Sequence, residues 1–300
     1  MEQTDQKKES RPAELMLKKL RVSAVFQSLL LLLGVFVIQF AASMLCMIVI
    51  GVYVLLVQGK TRGDLAMLIS GSLNDYSMVI SLVYAVTAIG FFGAAYWKGQ
   101  WRERPFPYRK ALGGGRIPGA AALGFGTCIM LMLIVGLASQ IFPGAFEKYQ
   151  KLMETLDVST SALTVYYVML FGPVAEELIF RGVILDRLRP AFPFWTANVI
   201  QAALFGIFHM NLIQGLYAFA LGMILGMVVE VTGTVAASMI THIIFNTTST
   251  LLSLLADHFP DRYNQCYPLV LLAAAFCFWG GMRYYVMQWR QKKGETSLEK

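Results

Sequence analysis

Charged residues are scarce in this sequence. Asp, Glu, Lys and Arg make up 14% of the 300 residues, whereas about a quarter of the residues in a soluble domain are charged. Apolar residues account for 57%. This composition excludes an ordinary soluble domain and indicates a polytopic membrane protein. The net charge of +7 does not indicate nucleic-acid binding, because the basic residues form short clusters between apolar runs rather than one stripe.

Features of several other protein classes are also missing. The four cysteines lie mostly inside apolar runs without paired spacing, which excludes a disulfide framework and a cysteine metal site. The polar residues 1–21 lack the apolar core and cleavage site of a removable signal peptide, so we expect a cytoplasmic tail that is partly disordered. The alternating pattern of membrane-spanning strands is absent, which leaves an all-α fold.

Long apolar runs dominate the rest of the chain, and about 20 apolar residues suffice to cross a bilayer as a helix. We interpret 22–57 as one helix that projects out of the bilayer, because no polar turn divides it in two. The sequence therefore predicts a bundle of about eight transmembrane helices. The candidate spans are 22–57, 76–97, 117–142, 161–188, 194–210, 213–230, 233–257 and 266–288.

The distribution of Lys and Arg orients these spans. Twenty of the 25 basic residues are assigned to the inner side: six before the first span, six from Lys98 to Arg116, the three residues Arg181, Arg187 and Arg189, and five from Arg283 on. Because positive residues favour the cytoplasmic side, both termini are predicted to be cytoplasmic. We expect a tail at 1–21, a transmembrane bundle at 22–288 and a second tail at 289–300.

Small residues recur every four positions in the span 213–230. Ala218, Gly222 and Gly226 form this stripe. Small side chains let a neighbouring helix backbone come close, so the stripe predicts tight packing that would hold the polar helices in register.

The span 161–188 contains an unusual group of charges between Phe171 and Arg181. Ionisable groups at membrane depth are costly and by default indicate a functional site. Glu177 and Arg181 are four residues apart with the acid first, so they should form an ion pair. Glu176 lies about 140° around the helix from Arg181 and is left to face something else. Pro173 removes a backbone donor and would free the carbonyl four residues earlier, which predicts a kink that widens the site.

Two of the three histidines lie inside spans. Gln201, Phe205 and His209 share one helix face at spacing four, and His242 and Asn246 share another. A single membrane histidine is more often a hydrogen-bond partner between helices. Two histidines, an asparagine and an unpaired glutamate in three neighbouring spans favour a functional site.

These side chains suit hydrolysis in two ways. A carboxylate and an imidazole can activate a water molecule while a second imidazole and an amide stabilise an oxyanion. A glutamate and two histidines can instead hold zinc with water as the fourth ligand. The spacing does not decide between the two, and the sequence contains neither His-Glu-x-x-His nor Gly-x-Ser-x-Gly.

Three ordered motifs carry a family resemblance. They are Glu176-Glu177-x-x-x-Arg181, Phe205-x-x-x-His209 and His242-x-x-x-Asn246. This order resembles the signature of the CPBP intramembrane endopeptidases, which include the CAAX prenyl proteases and the bacteriocin-processing or self-immunity (Abi) proteins. We expect the resemblance to extend over spans three to eight, with a catalytic core at about 117–288.

The resemblance implies a role for each motif residue. Glu176 and His209 would activate water, Glu177 and Arg181 would support them, and His242 and Asn246 would form the oxyanion site. Family members have been described both as glutamate-type and as metal-dependent proteases. We favour a site without metal or other cofactor, and zinc held by Glu176, His209 and His242 is the alternative.

The sequence therefore predicts an intramembrane endopeptidase that cleaves a prenylated or other membrane-associated peptide substrate in contact with the bilayer. A non-catalytic bacteriocin-immunity or scaffolding protein is the alternative. A proton-coupled transporter ranks last, because the chain lacks the half-to-half similarity of inverted repeats. The lack of a eukaryotic targeting signal and the single-domain form favour a multi-pass protein of a bacterial plasma membrane.

Overall fold

The computed structural model describes residues 2–56, 79–98, 113, 115–156 and 162–298 of the chain, and the regular structure in these residues is helical. The helices, numbered in chain order, are α1 (Glu2–Leu56), α2 (Val79–Lys98), α3 (Arg116–Ile141), α4 (Pro143–Leu156), α5 (162–188), α6 (Phe194–Phe208), α7 (Leu212–Thr232), α8 (Val235–His258) and α9 (Pro260–Leu298).

Six of these helices are long and apolar enough to cross a membrane: α1, α2, α3, α7, α8 and α9. The prediction of an all-α, polytopic membrane bundle is thereby confirmed. The other two predicted spans correspond to α5 and α6. Helix α6 has 15 residues and is about 22 Å long, so it is shorter than the roughly 30 Å of a bilayer core. The predicted span 194–210 is therefore too short to cross the bilayer by itself.

Helix α1 is a single continuous helix of 55 residues, which agrees with the interpretation of 22–57 as one span. At 1.5 Å per residue its length is about 80 Å, so it extends well beyond a bilayer core of about 30 Å. The tail expected to be partly disordered at 1–21 is helical from Glu2, and the second tail at 289–300 continues α9 as far as Leu298. Both tails are rich in Glu, Gln, Lys and Leu, which favour a helix even where polarity excludes burial.

Close backbone contacts join the central helices. On α3, a methyl group at Gly124 would collide with the Thr241 carbonyl of α8, and one at Gly126 would collide with the Phe278 backbone of α9. Glycine at both positions lets α3 lie directly against α8 and α9, as is common in membrane helix packing.

The small-residue stripe of α7 packs against α6, as predicted. A methyl group at Gly226 would collide with the Asn198 amide, and one at Gly222 would lie 3.0 Å from Ala202 Cβ. Asn198 Nδ2 donates to the Met223 carbonyl at 2.9 Å across the same interface. The small residues therefore admit a polar contact between α6 and α7 that larger side chains would block.

Four contacts join helix ends that the sequence analysis assigns to the cytoplasmic side. They are Arg21 Nε to the Ala191 carbonyl (3.3 Å), Arg189 Nη2 to Glu230 Oε1 (2.9 Å), the Tyr285 hydroxyl to the Arg116 carbonyl (3.1 Å), and the Trp195 ring to the Trp289 ring (5.6 Å between centroids). These ends of α1, α3, α5, α6, α7 and α9 thus lie at the same end of the bundle, in agreement with the relative topology derived from the basic residues.

Candidate active site

The backbone of α5 changes register twice around the two glutamates. It is π-helical at Tyr167–Phe171, α-helical at Gly172–Glu177 and π-helical again at Leu178–Ile184. The Gly172 amide accordingly donates to the carbonyl of Tyr167, five residues earlier. Single π-helical turns occur often at functional sites. The two glutamates thus lie on a short α-helical piece bounded by irregular turns.

Glu177 is fully buried, and one of its carboxylate oxygens accepts two hydrogen bonds. Its Oε1 accepts hydrogen bonds from Arg181 Nη1 at 2.8 Å and from His242 Nδ1 at 3.0 Å. The predicted pair of Glu177 with Arg181 is confirmed. The bond to His242 of α8 was not predicted, because spacing along one helix does not reveal which face of another helix it meets.

Glu176 faces the same imidazole from the other side. Its Oε2 lies 3.7 Å from His242 Nε2, and its side chain keeps 17% of its exposure while that of His242 keeps 3%. A distance of 3.7 Å is too long for a direct hydrogen bond, so the two groups are close but not bonded. The expected division between the two glutamates is therefore present, with Glu177 closed off and Glu176 accessible.

The Phe205 ring contacts Arg181 and both histidines of the site. The Arg181 guanidinium lies 4.4 Å from its centroid, and the rings of His209 and His242 meet it edge-on at 4.9 and 5.9 Å. Phe205 is 1% exposed, so its ring is buried among these side chains. Gln201, which was expected on the same polar edge, instead donates to the Gly222 carbonyl of α7 at 2.9 Å. It belongs to helix packing rather than to the site.

His209 lies at the end of α6 and does not contact Glu176 directly in the described part of the chain. Its Nδ1 is 2.8 Å from the Phe205 carbonyl. A carbonyl only accepts, so Nδ1 carries the proton and Nε2 is left as the free nitrogen. His242 is oriented in the same way, since its Nδ1 binds the Glu177 carboxylate. Both imidazoles therefore keep Nε2 available for water or substrate.

Asn246 lies one turn beyond His242 on α8 and reaches α5. Its Nδ2 donates to the Val168 carbonyl at 2.8 Å. Val168 lies five residues before Pro173, whereas the sequence analysis expected Pro173 to free the carbonyl four residues earlier. The difference follows from the π-helical register of Tyr167–Phe171, in which backbone bonds span five residues.

Three tyrosine side chains also lie near Glu176. They are Tyr84 on α2, Tyr167 on α5 and Tyr217 on α7, and Tyr217 is hydrogen-bonded to Tyr149 on α4. Tyr84 is 4% exposed, and its hydroxyl has no hydrogen-bond partner among the described residues. The sequence analysis missed these residues, because tyrosine in an apolar run is common near membrane interfaces and carries no spacing signal.

The three residues expected to bind zinc are present, but their side chains do not lie together. Glu176 and His242 approach each other, whereas His209 is linked to them only through the Phe205 ring. Within the described ranges, no group of three or more His, Cys, Asp or Glu side chains lies close enough to hold a metal ion. The arrangement in this structure does not fit the three-ligand zinc site that the sequence left as an alternative.

Residues 158–248 match the family model described as type II CAAX prenyl endopeptidase Rce1-like. This matched segment, which is less than a third of the chain, is similar to the CAAX prenyl endopeptidases. It contains α5, α6, α7 and most of α8, and thus all the residues of the three motifs. No curated protein and no solved structure matches the chain significantly.

The matched segment is shorter than the resemblance we expected over spans three to eight, since α3 and α9 lie outside it. Tyr84 of α2 also lies outside it, although its phenol lies near Glu176. The surroundings of Glu176 are therefore built partly from helices that the family match does not cover.

Proposed function

We propose that this membrane protein is an intramembrane endopeptidase in which Glu176 activates the attacking water. The observation that carries the proposal is the pair formed by Glu176 and His242, with 3.7 Å between Oε2 and Nε2 and with His242 oriented by Glu177 from behind. A partly accessible carboxylate beside an oriented imidazole, inside a segment matched by a protease family, suits the activation of water.

In the proposed reaction, the Glu176 carboxylate takes a proton from a water molecule that is also held by the free Nε2 of His209. The resulting hydroxide attacks the carbonyl carbon of the scissile peptide bond. Glu176 then returns the proton to the leaving amine as the bond to nitrogen breaks. The carboxylate thus serves first as general base and then as general acid.

The negative charge that develops on the carbonyl oxygen is stabilised by His242 and Asn246. His242 donates from Nε2 when both ring nitrogens are protonated, and Glu177 behind it supplies the compensating charge. Asn246 donates from its side-chain amide. Removing one such donor commonly lowers kcat about 10²–10³-fold.

The proposed reaction uses no metal, because the carboxylate and imidazoles supply both proton transfer and oxyanion stabilisation. Chelators such as EDTA and 1,10-phenanthroline are therefore expected to leave cleavage unchanged. Loss of cleavage on chelation that zinc alone restores would contradict this part of the proposal.

Purified protein in liposomes and a panel of labelled peptides test the activity. The panel pairs prenylated C-terminal peptides with the same peptides lacking the prenyl group, which also tests the substrate class. Glu176→Gln, His209→Ala and His242→Ala are expected to lower cleavage about 10²–10⁴-fold while the proteins remain folded.

Two surface variants serve as matched controls. Glu147→Gln removes an exposed carboxylate that pairs with Lys151, and His258→Ala removes an exposed imidazole. Both should cleave at the wild-type rate. Undiminished cleavage by Glu176→Gln would refute the proposal, and a wild-type protein that binds peptides without cleaving any would favour the immunity or scaffolding alternative.

We place the protein in the plasma membrane of a bacterium, with both termini on the cytoplasmic side. The support is the concentration of basic residues at the end of the bundle where Arg21, Arg116 and Arg189 lie. Labelling of single cysteines introduced at either end of the bundle in intact cells would test this orientation.

A further inference from the structure

The first π-helical turn of α5 leaves one backbone carbonyl without its usual donor. The Gly172 amide donates to the Tyr167 carbonyl, five residues earlier. In the same register the next residue, Pro173, would donate to Val168, but proline has no backbone N–H. The Val168 carbonyl therefore needs a donor from elsewhere, because an unpaired backbone acceptor at membrane depth is costly.

Asn246 supplies that donor from another helix. Its Nδ2 lies 2.8 Å from the Val168 oxygen, and the two residues are 78 positions apart in the chain. Both residues are half-buried, so water does not fully replace this bond. The side-chain amide of α8 thus completes the backbone hydrogen bonding of α5 at the position where Pro173 interrupts it.

A second bond between the same two helices lies on the other side of Glu176. His242, one turn before Asn246, binds Glu177 at 3.0 Å. Helix α8 therefore contacts α5 at Val168, before the piece Gly172–Glu177 that carries the glutamates, and again at Glu177, the last residue of that piece. Two such contacts fix the rotation of this piece and with it the direction of Glu176.

We propose that Asn246 is a positioning residue that replaces the backbone donor missing at Pro173 and thereby holds the π-helical turn and Glu176 in place. A side-chain amide has two N–H bonds, and only one is used for Val168. The other is free for the oxyanion, so this role adds to the one in the proposed function. The consequence for cleavage rests on that proposed function, whereas the consequence for folding does not.

A double-mutant cycle between Asn246→Ala and Pro173→Ala tests the proposal by melting temperature. Asn246→Ala removes the donor and should lower the Tm by about 2–4 °C. Pro173→Ala restores a backbone N–H that can reach Val168. The double variant should therefore melt close to Pro173→Ala alone, so that the loss caused by Asn246→Ala largely disappears.

Thr248→Ala is the matched control on the same helix. Among the residues that the structure describes, the Thr248 hydroxyl bonds only to the Ile244 carbonyl of its own helix, at 2.7 Å. Its effect on the Tm should be the same in the wild-type protein and in the Pro173→Ala variant. If Asn246→Ala does not yield folded protein, recovery of folded protein in the double variant supports the proposal equally.

Additive effects of the two substitutions on Tm or on the yield of folded protein would overturn the proposal, because they would show that Asn246 does not replace the donor missing at Pro173. Cleavage is measured separately on the same proteins. A double variant that regains stability without regaining cleavage would support both the positioning role and the oxyanion role, whereas absence of cleavage by the wild type would count against the proposed function alone.

Discussion

The buried pair of Glu177 and Arg181 yields a prediction about the order in which substitutions destabilise the protein. Both side chains have no solvent exposure, and Glu177 Oε1 binds Arg181 at 2.8 Å and His242 at 3.0 Å. Glu177→Gln keeps the side-chain volume but leaves the guanidinium without that carboxylate. Arg181→Met leaves Glu177 with His242, whose imidazole can take a second proton. We therefore expect Glu177→Gln to be the more harmful change.

The magnitude follows from the cost of one uncompensated buried charge. Breaking a buried ion pair by removing one partner costs about 3–5 kcal/mol, which for a chain of this size lowers the Tm by about 6–20 °C. Arg181→Met should cost clearly less than Glu177→Gln. The double variant should recover much of the loss of Glu177→Gln, because replacing both partners removes the unpaired charge.

Thermal unfolding of the detergent-solubilised protein, followed by tryptophan fluorescence at one fixed scan rate, measures these differences. Glu147→Gln is the control, since its pair with Lys151 is exposed and should contribute about 0–1 kcal/mol. If Arg181→Met destabilises the protein as much as Glu177→Gln does, His242 does not stabilise Glu177, and the interpretation of this cluster is wrong.

Two further substitutions test how the site is enclosed. Gly222→Ala would place a methyl group 3.3 Å from Arg181 Nη2 and should cost about 1–3 kcal/mol in a thermal melt. Gly136→Ala should be neutral or slightly stabilising, because no neighbouring helix of the described residues comes within 4 Å of the added methyl group. Equal effects of the two would show that Gly222 does not make room for Arg181. Tyr84→Phe should not lower the Tm, because the buried hydroxyl has no partner in the described residues. A lower Tm for Tyr84→Phe would mean that this hydroxyl is bound by water or by a group outside the described ranges.

The features that were predictable from the sequence are local along the chain. Runs of apolar residues indicate helices because a helix satisfies its own backbone in lipid, whatever its neighbours are. The bond between Glu177 and Arg181 was predictable for the same reason, since residues four apart share a helix face. The continuous α1 likewise agrees with a run in which no polar turn was found.

The features that were not predictable depend on two distant segments or on a local change of register. The bond between His242 and Glu177 joins residues 65 positions apart, and no spacing indicates it. The π-helical turns moved the carbonyl freed by Pro173 from position 169 to position 168, a shift that the ideal α-helical repeat used for prediction does not contain. The spacing of Gln201 predicted that it belongs to the polar edge of the site. In the folded protein its side chain instead donates to the Gly222 carbonyl of α7, and it contributes to helix packing.

The sequence by itself thus determined that this is a polytopic helical membrane protein and that Glu176 and Glu177 differ in their partners, and it predicted that two histidines and an asparagine belong with them. Periodicity carries this information, because it decides which residues share a face. Only the tertiary structure decided that His242 lies between the two glutamates, that Phe205 links the imidazoles to Arg181, and that Asn246 holds the backbone of α5. Those contacts depend on which helix faces meet and at what height, and these are properties of the packed bundle rather than of any one helix.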